Sequence, residues 1–199
     1  MGQGPRYRVM FRRRRQKRTD YKTRKAMIIS KIPRLVVRGS LAHMNIQIAE
    51  ALLKGDRMLV SANSKSLVSF GWNAPSGNIP AAYLTGYLLG KKALAAGLEK
   101  AILDVGLIST TTGARLFAAL KGAVDAGLEV PHDEDIVPSG QRIKGEHIAE
   151  YAAKIRESDM AMYDRTYSKY FSKGLRPEEL PEHFAGVKAA IDQALKEGN

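Results

Sequence analysis

Three alternating runs in the first third of the chain decide the fold. They are RLVVR (34–38), NIQIA (45–49) and DRMLVSA (56–62). In the first run Leu35 and Val37 face one way while Arg34 and Arg38 face the other, which is the two-residue period of a β-strand. The sequence therefore predicts an antiparallel three-stranded meander with one packed face and one polar face. Arg34 and Arg38 lie on the polar face and make it cationic.

The segment NIPAAYLTGYLLGKKALAAG (78–97) predicts an α-helix after the meander. Asn78 is placed to cap the first turn, and Pro80 suits that turn because its missing N–H is not needed there. Gly86 and Gly90 weaken the helix locally, which indicates that it packs closely on a neighbouring element.

Strand and helix alternate in the following segment. KAILDVGL (100–107) predicts a short buried strand, and GARLFAALKGAVDAG (113–127) predicts a second helix with Gly127 at its C-terminal cap. Leu128–Pro131 can supply a last short strand. This order predicts an α/β fold with a mixed sheet and packed helices, in which the second half of the sheet pairs in parallel.

The composition changes towards the C-terminus, because residues 129–199 carry 14 acids against 10 bases. Pro177 and Pro181 are expected to separate short elements there. Helices are predicted near Glu146–Glu157, Asp159–Phe171 and Phe184–Lys196. The domain organisation that we expect is a basic arm (1–27), an α/β core domain (28–131) and a helical C-terminal extension (132–199).

The formal net charge of +12 is concentrated at one end of the chain. Residues 1–38 contain 14 Lys and Arg against one acid, a net charge of +13, whereas residues 39–199 contain 18 against 19, a net charge of −1. A cationic arm on a nearly neutral body is typical of a protein that binds a polyanion.

The arm, residues 1–25, has too few aliphatic side chains to build a core. We expect it to be poorly ordered when free, with any helix limited to Thr19–Met27, and to be ordered by its partner. Nuclear import and membrane-surface binding also use basic runs, but Val9–Phe11 is too short an apolar stretch for a membrane. We favour nucleic acid, with arginines on phosphates. Aromatic residues of the arm could stack on bases or simply pack: Tyr7, Phe11 and Tyr21.

Groups suited to catalysis are sparse. Asp104 with Asp56 or Asp125 could hold Mg²⁺ for a ribonuclease-H-type nuclease, although no spacing guarantees a shared site, and Asp125 more simply ends a helix. The chain has no cysteine, its four histidines form no HxxxH pair, and its glycines match no nucleotide-binding motif. The sequence predicts no enzyme, no metal and no cofactor. A metal-dependent nuclease and a DNA-compacting basic protein are the alternatives.

Membrane association is not expected either. The longest apolar runs are interrupted by Gly, Lys and Pro well before the roughly 18 residues that a membrane-spanning helix needs.

Several longer strings carry a family resemblance. They include GPRYRV (4–9), RRRR (12–15), RTDYKTR (18–24), PRLVVRGS (33–40), SANSKSLVSFGWNAPSGNIPAAYLTGYLLG (61–90), AILDVGL (101–107), LKGAVDAGLEVPH (120–132) and RIKGEHIAEY (142–151). With these strings the chain resembles the large-subunit ribosomal protein eighteen family in its archaeal/eukaryotic type. The match extends to LPEHF near residue 184 and is weaker around 159–172.

The resemblance implies an α/β fold of the ribonuclease-H-like translational-component kind without nuclease activity. It further implies a structural protein of the large subunit of the cytoplasmic ribosome. Such a protein binds 5S rRNA and helps attach it to the large (23S-type) rRNA in the central protuberance. The partners implied are 5S rRNA, the large-subunit rRNA, large-subunit ribosomal protein five and other proteins of the central protuberance.

The resemblance also implies which residues contact RNA. In the arm they are Arg6, Arg8, Arg12, Arg13, Arg14, Arg15, Lys17, Arg18, Tyr21, Arg24 and Lys25. At the first strand and its turn they are Arg34, Arg38, Ser40 and His43. Two further segments are less strongly implicated: the loop Asn63–Lys65, through Asn63 and Lys65, and the segment Gly71–Asn78. Trp72 in the second segment is equally well explained as a core residue.

Overall fold

A computed structural model describes residues 4–196 of the chain. Residues 1–3 and 197–199, which belong to the predicted arm and extension, lie outside the described residues. The strands are β1 (Arg34–Gly39), β2 (Met44–Leu52), β3 (Gly55–Asn63) and β4 (Ile102–Asp104). The α-helices are α1 (Arg12–Arg15), α2 (Tyr21–Ile29), α3 (Ile79–Ala95), α4 (Arg115–Asp125), α5 (Gly140–Lys144), α6 (Glu146–Ser158), α7 (Met160–Phe171) and α8 (Leu180–Lys196). Short 3₁₀ turns cover Ser64–Phe70, Glu134–Ile136 and Pro177–Glu179.

The four strands form one mixed sheet in the order β3-β2-β1-β4. β1 pairs antiparallel with β2, which pairs antiparallel with β3, so the predicted meander is confirmed. β4 joins the other edge of β1 in parallel and places Asp104 opposite Val36. The predicted α/β class with a mixed sheet is therefore confirmed, while the finer ribonuclease-H-like assignment stays a prediction.

The last predicted strand, Leu128–Pro131, is reduced to a single bridge. Glu129 accepts a backbone hydrogen bond from Ala101 and donates one to Glu99, and the ladder goes no further. Pro131 has no N–H with which to extend it.

One face of the sheet is the packed face that the alternation predicted. Leu35, Val37, Ile46 and Ile48 are fully buried there. They belong to the same hydrophobic cluster as the buried residues of α3 and α4, which cover this face: among them are Leu84, Leu88 and Leu120. At roughly 25 cal/mol for each Å² of apolar surface removed from water, this cluster supplies the main driving force for folding.

Helices α3 and α4 approach closely because glycines line their contact. A Cβ on Gly86 would lie 1.9 Å from the Ala119 carbonyl oxygen, and one on Gly122 would lie 2.1 Å from that of Tyr83. The close packing predicted from Gly86 and Gly90 is confirmed. The Asn78 cap is confirmed as well, since its side chain accepts a hydrogen bond from the Ala81 N–H.

The C-terminal helices share this core. Leu180 and Ile191 of α8 are fully buried within the same cluster. Pro177 begins the 3₁₀ turn that follows α7, and Pro181 lies in the first turn of α8, where a proline is tolerated, so both prolines lie at element boundaries. The division of the chain at residues 27 and 131 into three units stays a prediction.

Candidate nucleic-acid interface

The basic arm contains two helices in the structure. Arg12–Arg15 forms the single turn α1, although no helix was expected in the arm outside Thr19–Met27. Three backbone hydrogen bonds continue past this turn: from Gln16 to Arg12, from Lys17 to Arg14 and from Arg18 to Arg13. The second helix, α2, begins after Asp20, whose carboxylate accepts hydrogen bonds from the N–H groups of Lys22 and Thr23. This cap stabilises the first turn of α2, and the basic side chains of α1 are exposed.

Helix α2 is tied to the sheet by an ion pair with two hydrogen bonds. Arg24 Nη2 lies 2.6 Å from Asp56 Oδ1, and Arg24 Nη1 lies 3.0 Å from Asp56 Oδ2. This fork geometry is the strongest way in which a guanidinium binds a carboxylate. The arm is thus joined to β3 by contacts within the chain.

Arg34 continues the ion pairing into the interior. Its Nη2 lies 2.8 Å from Asp56 Oδ2, and its Nη1 lies 2.7 Å from Asp104 Oδ2. The side chains of Arg34 and Asp104 are only 3% and 7% exposed. Burying this guanidinium requires both carboxylates, because a lone charge in the interior is strongly destabilising.

Arg38 forms the outer end of the same chain of charges. Its Nη2 lies 2.9 Å from Asp104 Oδ1, and its Nη1 donates to the Asp104 carbonyl oxygen at 2.7 Å. Gly106 donates its N–H to the same carboxylate. Since 41% of the Arg38 side chain remains exposed, this cation is held in place and still reaches solvent.

We call Arg24, Asp56, Arg34, Asp104 and Arg38 the ion-pair chain. Burial alone would raise the pKa of Asp56, but the hydrogen bonds from Arg24 and the close ion pair with Arg34 outweigh burial and hold that pKa below its usual value. The hydrogen bond to Asp56 also raises the pKa of Arg24. Three cations alternate with two carboxylates, so the chain keeps a net positive charge.

The ion-pair chain bears directly on the nuclease alternative. Asp56 and Asp104 are the two acids that such a site would use, and the Arg34 guanidinium lies between them. Asp125 is elsewhere, accepting a hydrogen bond from the Tyr83 hydroxyl and pairing with Lys121. Within residues 4–196 there is no group of three or more His, Asp and Glu side chains that could hold a metal ion.

A second group of predicted contacts lies at the end of the sheet where β1 stops. Ser40 and His43 close the turn between β1 and β2, where the Ser40 N–H donates to the His43 carbonyl oxygen at 2.8 Å. The Ser40 hydroxyl accepts a hydrogen bond from the His43 N–H at 3.0 Å. These hydrogen bonds close the turn, and residues 40–42 of it are exposed.

Asn63 and Lys65 lie at the same end of the sheet. Asn63 ends β3 opposite Asn45, and its side chain accepts a hydrogen bond from the Lys65 N–H. The neighbouring Ser64 hydroxyl accepts a hydrogen bond from the Met44 N–H. This contact places the start of the 3₁₀ turn beside the Ser40–His43 turn, with Lys65 exposed.

Arg115 links the turn at this end of the sheet to the segment before α3, although it is not among the contact residues predicted from the sequence. Its Nη1 donates to the Gly77 carbonyl oxygen at 2.6 Å and to the Ser40 carbonyl oxygen at 3.2 Å. Gly77 approaches the turn closely, since a Cβ there would lie 2.6 Å from the Leu41 carbonyl oxygen. No sequence motif marks Arg115, because its partners are backbone atoms distant in sequence.

The structure sorts the predicted contact residues into two sets. Three of the arginines are engaged by carboxylates inside the chain: Arg24, Arg34 and the partly exposed Arg38. The remaining cations of the arm are exposed: Arg6, Arg8, Arg12, Arg13, Arg14, Arg15, Lys17, Arg18 and Lys25. Tyr21 is half-buried and its ring contacts that of Phe11 at 5.6 Å. Arg13, Arg18 and Arg38 line one cleft between α2 and the sheet.

The position of Trp72 is also decided. Trp72 is fully buried, so the core interpretation is confirmed, and its ring lies 5.2 Å from that of His183. His132 makes a loop hydrogen bond between its Nδ1 and the Val130 carbonyl oxygen. None of the helices within residues 4–196 is long and apolar enough to cross a membrane.

The fold and this surface define a basic α/β protein whose net positive charge is concentrated in the arm and the first strand. Comparison with known families is in agreement. Residues 5–98 and 95–133 match the family described as ribosomal large subunit proteins 60S L5 and 50S L18. The chain is 48% identical over 197 residues to the large ribosomal subunit protein uL18 of Aeropyrum pernix, covering 98% of this chain and 92% of that protein.

The chain therefore belongs to the family of ribosomal large subunit proteins that includes 60S L5 and 50S L18. The resemblance noted in the sequence is confirmed at the level of the family. The protein is a structural, non-enzymatic constituent of the large subunit of the cytoplasmic ribosome. The nuclease alternative is rejected on this ground.

Proposed function

We propose that this protein binds 5S rRNA and helps attach it to the large (23S-type) rRNA in the central protuberance of the large subunit. The observation that carries the proposal is the separation of charge, with a net of +13 in residues 1–38 and a net of −1 in the rest. Family membership directs the search for the polyanion to ribosomal RNA.

In this proposal the exposed arm supplies most of the affinity. Its arginines and lysines neutralise backbone phosphates and release condensed counterions, an effect that does not need a preformed pocket. If about 6–10 phosphates are neutralised, the affinity falls by roughly 10³–10⁵ between about 50 and 200 mM salt.

The sheet end supplies shape and register. Hydrogen bonds within the chain hold the residues that would contact RNA here: Arg38, Ser40, His43, Asn63 and Lys65. Contacts from such residues to phosphate and sugar position a protein on folded RNA. Arg24 and Arg34 act indirectly, because their guanidinium groups hold the arm against the sheet.

A position in the central protuberance implies two further kinds of partner. One is the large-subunit rRNA, to which 5S rRNA is attached. The other is protein, namely large-subunit ribosomal protein five and other proteins of the central protuberance. The C-terminal extension carries the acidic balance of the chain and suits a protein partner better than bare RNA.

A competition binding assay tests the proposal. Labelled 5S transcript is bound to the full chain and challenged with unlabelled 5S rRNA, an unrelated folded RNA of equal length, and duplex DNA. We expect 5S rRNA to compete best, by at least tenfold over both other ligands. Equal competition by duplex DNA would support the DNA-compacting alternative, and equal competition by the unrelated RNA would overturn specificity for 5S rRNA.

A further inference from the structure

An exposed loop between β4 and α4 lies outside the predicted contact residues. All seven residues of 106–112 are exposed, and four of them in succession carry hydroxyl groups: Ser109, Thr110, Thr111 and Thr112. Within residues 4–196, no intramolecular hydrogen bond engages any of these four side-chain hydroxyls. We call residues 109–112 the hydroxyl loop.

The hydroxyl loop adjoins the cationic surface on one side. Gly106, at its base, has a φ of +69°, and a Cβ there would lie 3.0 Å from the Arg38 Nη2 atom. Leu107 lines a hollow together with basic residues of the arm: Arg14, Lys17 and Lys22. A strand of RNA that follows the arm past Arg38 therefore passes the loop.

The other side of the loop leads to the sheet end. Thr111 accepts a backbone hydrogen bond from Ala114, and the helix that follows begins at Arg115, whose guanidinium binds the Ser40 carbonyl oxygen. The Gly113 N–H donates to the Ile136 carbonyl oxygen. Both ends of the loop are fixed while its hydroxyl groups face solvent.

Hydroxyl groups suit one feature of RNA in particular. A Ser or Thr hydroxyl both donates and accepts a hydrogen bond, and the ribose 2′-hydroxyl does the same, whereas deoxyribose lacks this group. Cations bind the phosphates of RNA and DNA alike. Hydroxyl groups placed between cations thus supply a preference for RNA that the cations do not.

We propose that the hydroxyl loop contacts ribose 2′-hydroxyl groups of the bound RNA and contributes the preference of this protein for RNA over DNA. The inference rests on the proposed function, because the arm and Arg38 deliver the RNA strand to the loop. It adds the hydroxyl loop to the proposed RNA contacts and gives a chemical reason for the preference for RNA over DNA.

The test replaces all four residues at once (S109A/T110A/T111A/T112A). Binding to 5S rRNA and to a duplex DNA of similar length is measured for wild type and variant across a range of salt. We expect the RNA affinity to fall about five- to thirtyfold, as for two or so lost hydrogen bonds, with DNA affinity changed less than twofold. The salt slope should be unchanged, because no cation is removed.

A matched variant controls for loss of surface hydroxyls elsewhere. Thr166→Ala with Ser168→Ala removes two exposed hydroxyls from α7 and should leave both affinities unchanged. An unchanged RNA affinity of the loop variant, or an equal fall for RNA and DNA, would overturn the inference while leaving the proposed function intact. Failure of the wild-type chain to bind 5S rRNA would overturn both.

Discussion

The Arg34 guanidinium lies 2.7 Å from the Asp104 carboxylate, and neither side chain is more than 7% exposed. β1 and β4 are parallel neighbours in which Asp104 lies opposite Val36, so Arg34 and Arg38 flank it on the same face. The pair joins the only parallel strands of the described sheet. It also fixes the position from which Arg34 reaches Asp56 and, through it, the arm.

Replacing the buried Arg34 should destabilise the fold more than replacing a residue of an exposed ion pair. Arg34→Ala leaves the buried Asp104 with only the more exposed Arg38, and we expect the free energy of unfolding to fall by about 3–5 kcal/mol. Urea denaturation measures this. The control is Lys100→Ala, whose partner Glu129 is 66% exposed, and which should cost less than about 1 kcal/mol. Equal small effects would show that the ion-pair chain contributes little.

The contact between α3 and α4 should not tolerate a methyl group. Gly86→Ala places a Cβ 1.9 Å from the Ala119 carbonyl oxygen, so the helices must separate, at a cost of about 1–3 kcal/mol or more. Gly186→Ala is the matched control, because it lies in α8 with no atom within 4 Å of the added Cβ. It should stabilise the protein by about 0.5–1 kcal/mol. Thermal unfolding of both variants distinguishes packing from helix propensity.

Much of this architecture follows from local patterns in the sequence. The two-residue alternation around Leu35 and the 3.6-residue period of the helices identify the packed faces, and Gly86 signals the close helix pair. These patterns are read within one element at a time. For that reason the mixed sheet and the capped helix α3 agree with expectation.

The site was less predictable, because its contacts join residues that are distant in sequence. Arg34 is separated from Asp104 by 70 residues, and the alternation that places Arg34 on a polar face does not reveal that α2 and two carboxylates cover it. Arg115 binds carbonyl oxygens, which leave no trace in composition. The Arg12–Arg15 turn was missed because the arm has too few aliphatic side chains to give a helical pattern there.

Arg115 should control the rigidity of the turn at the sheet end. Arg115→Ala removes the hydrogen bonds to Ser40 and Gly77, and we expect amide hydrogen exchange in residues 40–44 to accelerate about tenfold, as for one or two lost bonds. Arg142→Ala, at an exposed arginine of α5, should leave exchange there unchanged. Identical exchange in both variants would mean that the Ser40–His43 turn does not depend on Arg115 for its rigidity.

Stability should depend on the protonation of His183. Burial lowers the pKa of His183, and its Nε2 accepts a hydrogen bond from the Asn73 N–H, which requires the neutral ring. The unfolded state therefore takes up a proton more readily, and stability is lost as the pH falls from about 6.5 through the lowered pKa. His183→Gln cannot be protonated, so its stability deficit relative to wild type should shrink between about pH 7 and pH 5. A constant deficit would contradict this assignment.

The most direct measurement is the salt dependence of 5S rRNA binding by a variant with Arg12–Arg15 changed to Gln. These side chains are exposed, and within the described residues their only hydrogen bond to another side chain joins Arg13 to Thr19, so folding should be preserved. If all four bind phosphates, the slope of log affinity against log salt should become shallower by about 2.8–3.6. The control neutralises four exposed cations of the C-terminal helical region: Lys154, Arg165, Lys169 and Arg176. We predict that this control keeps the wild-type slope, whereas equal slopes for wild type and the arm variant would contradict the central claim that the arm neutralises RNA phosphates.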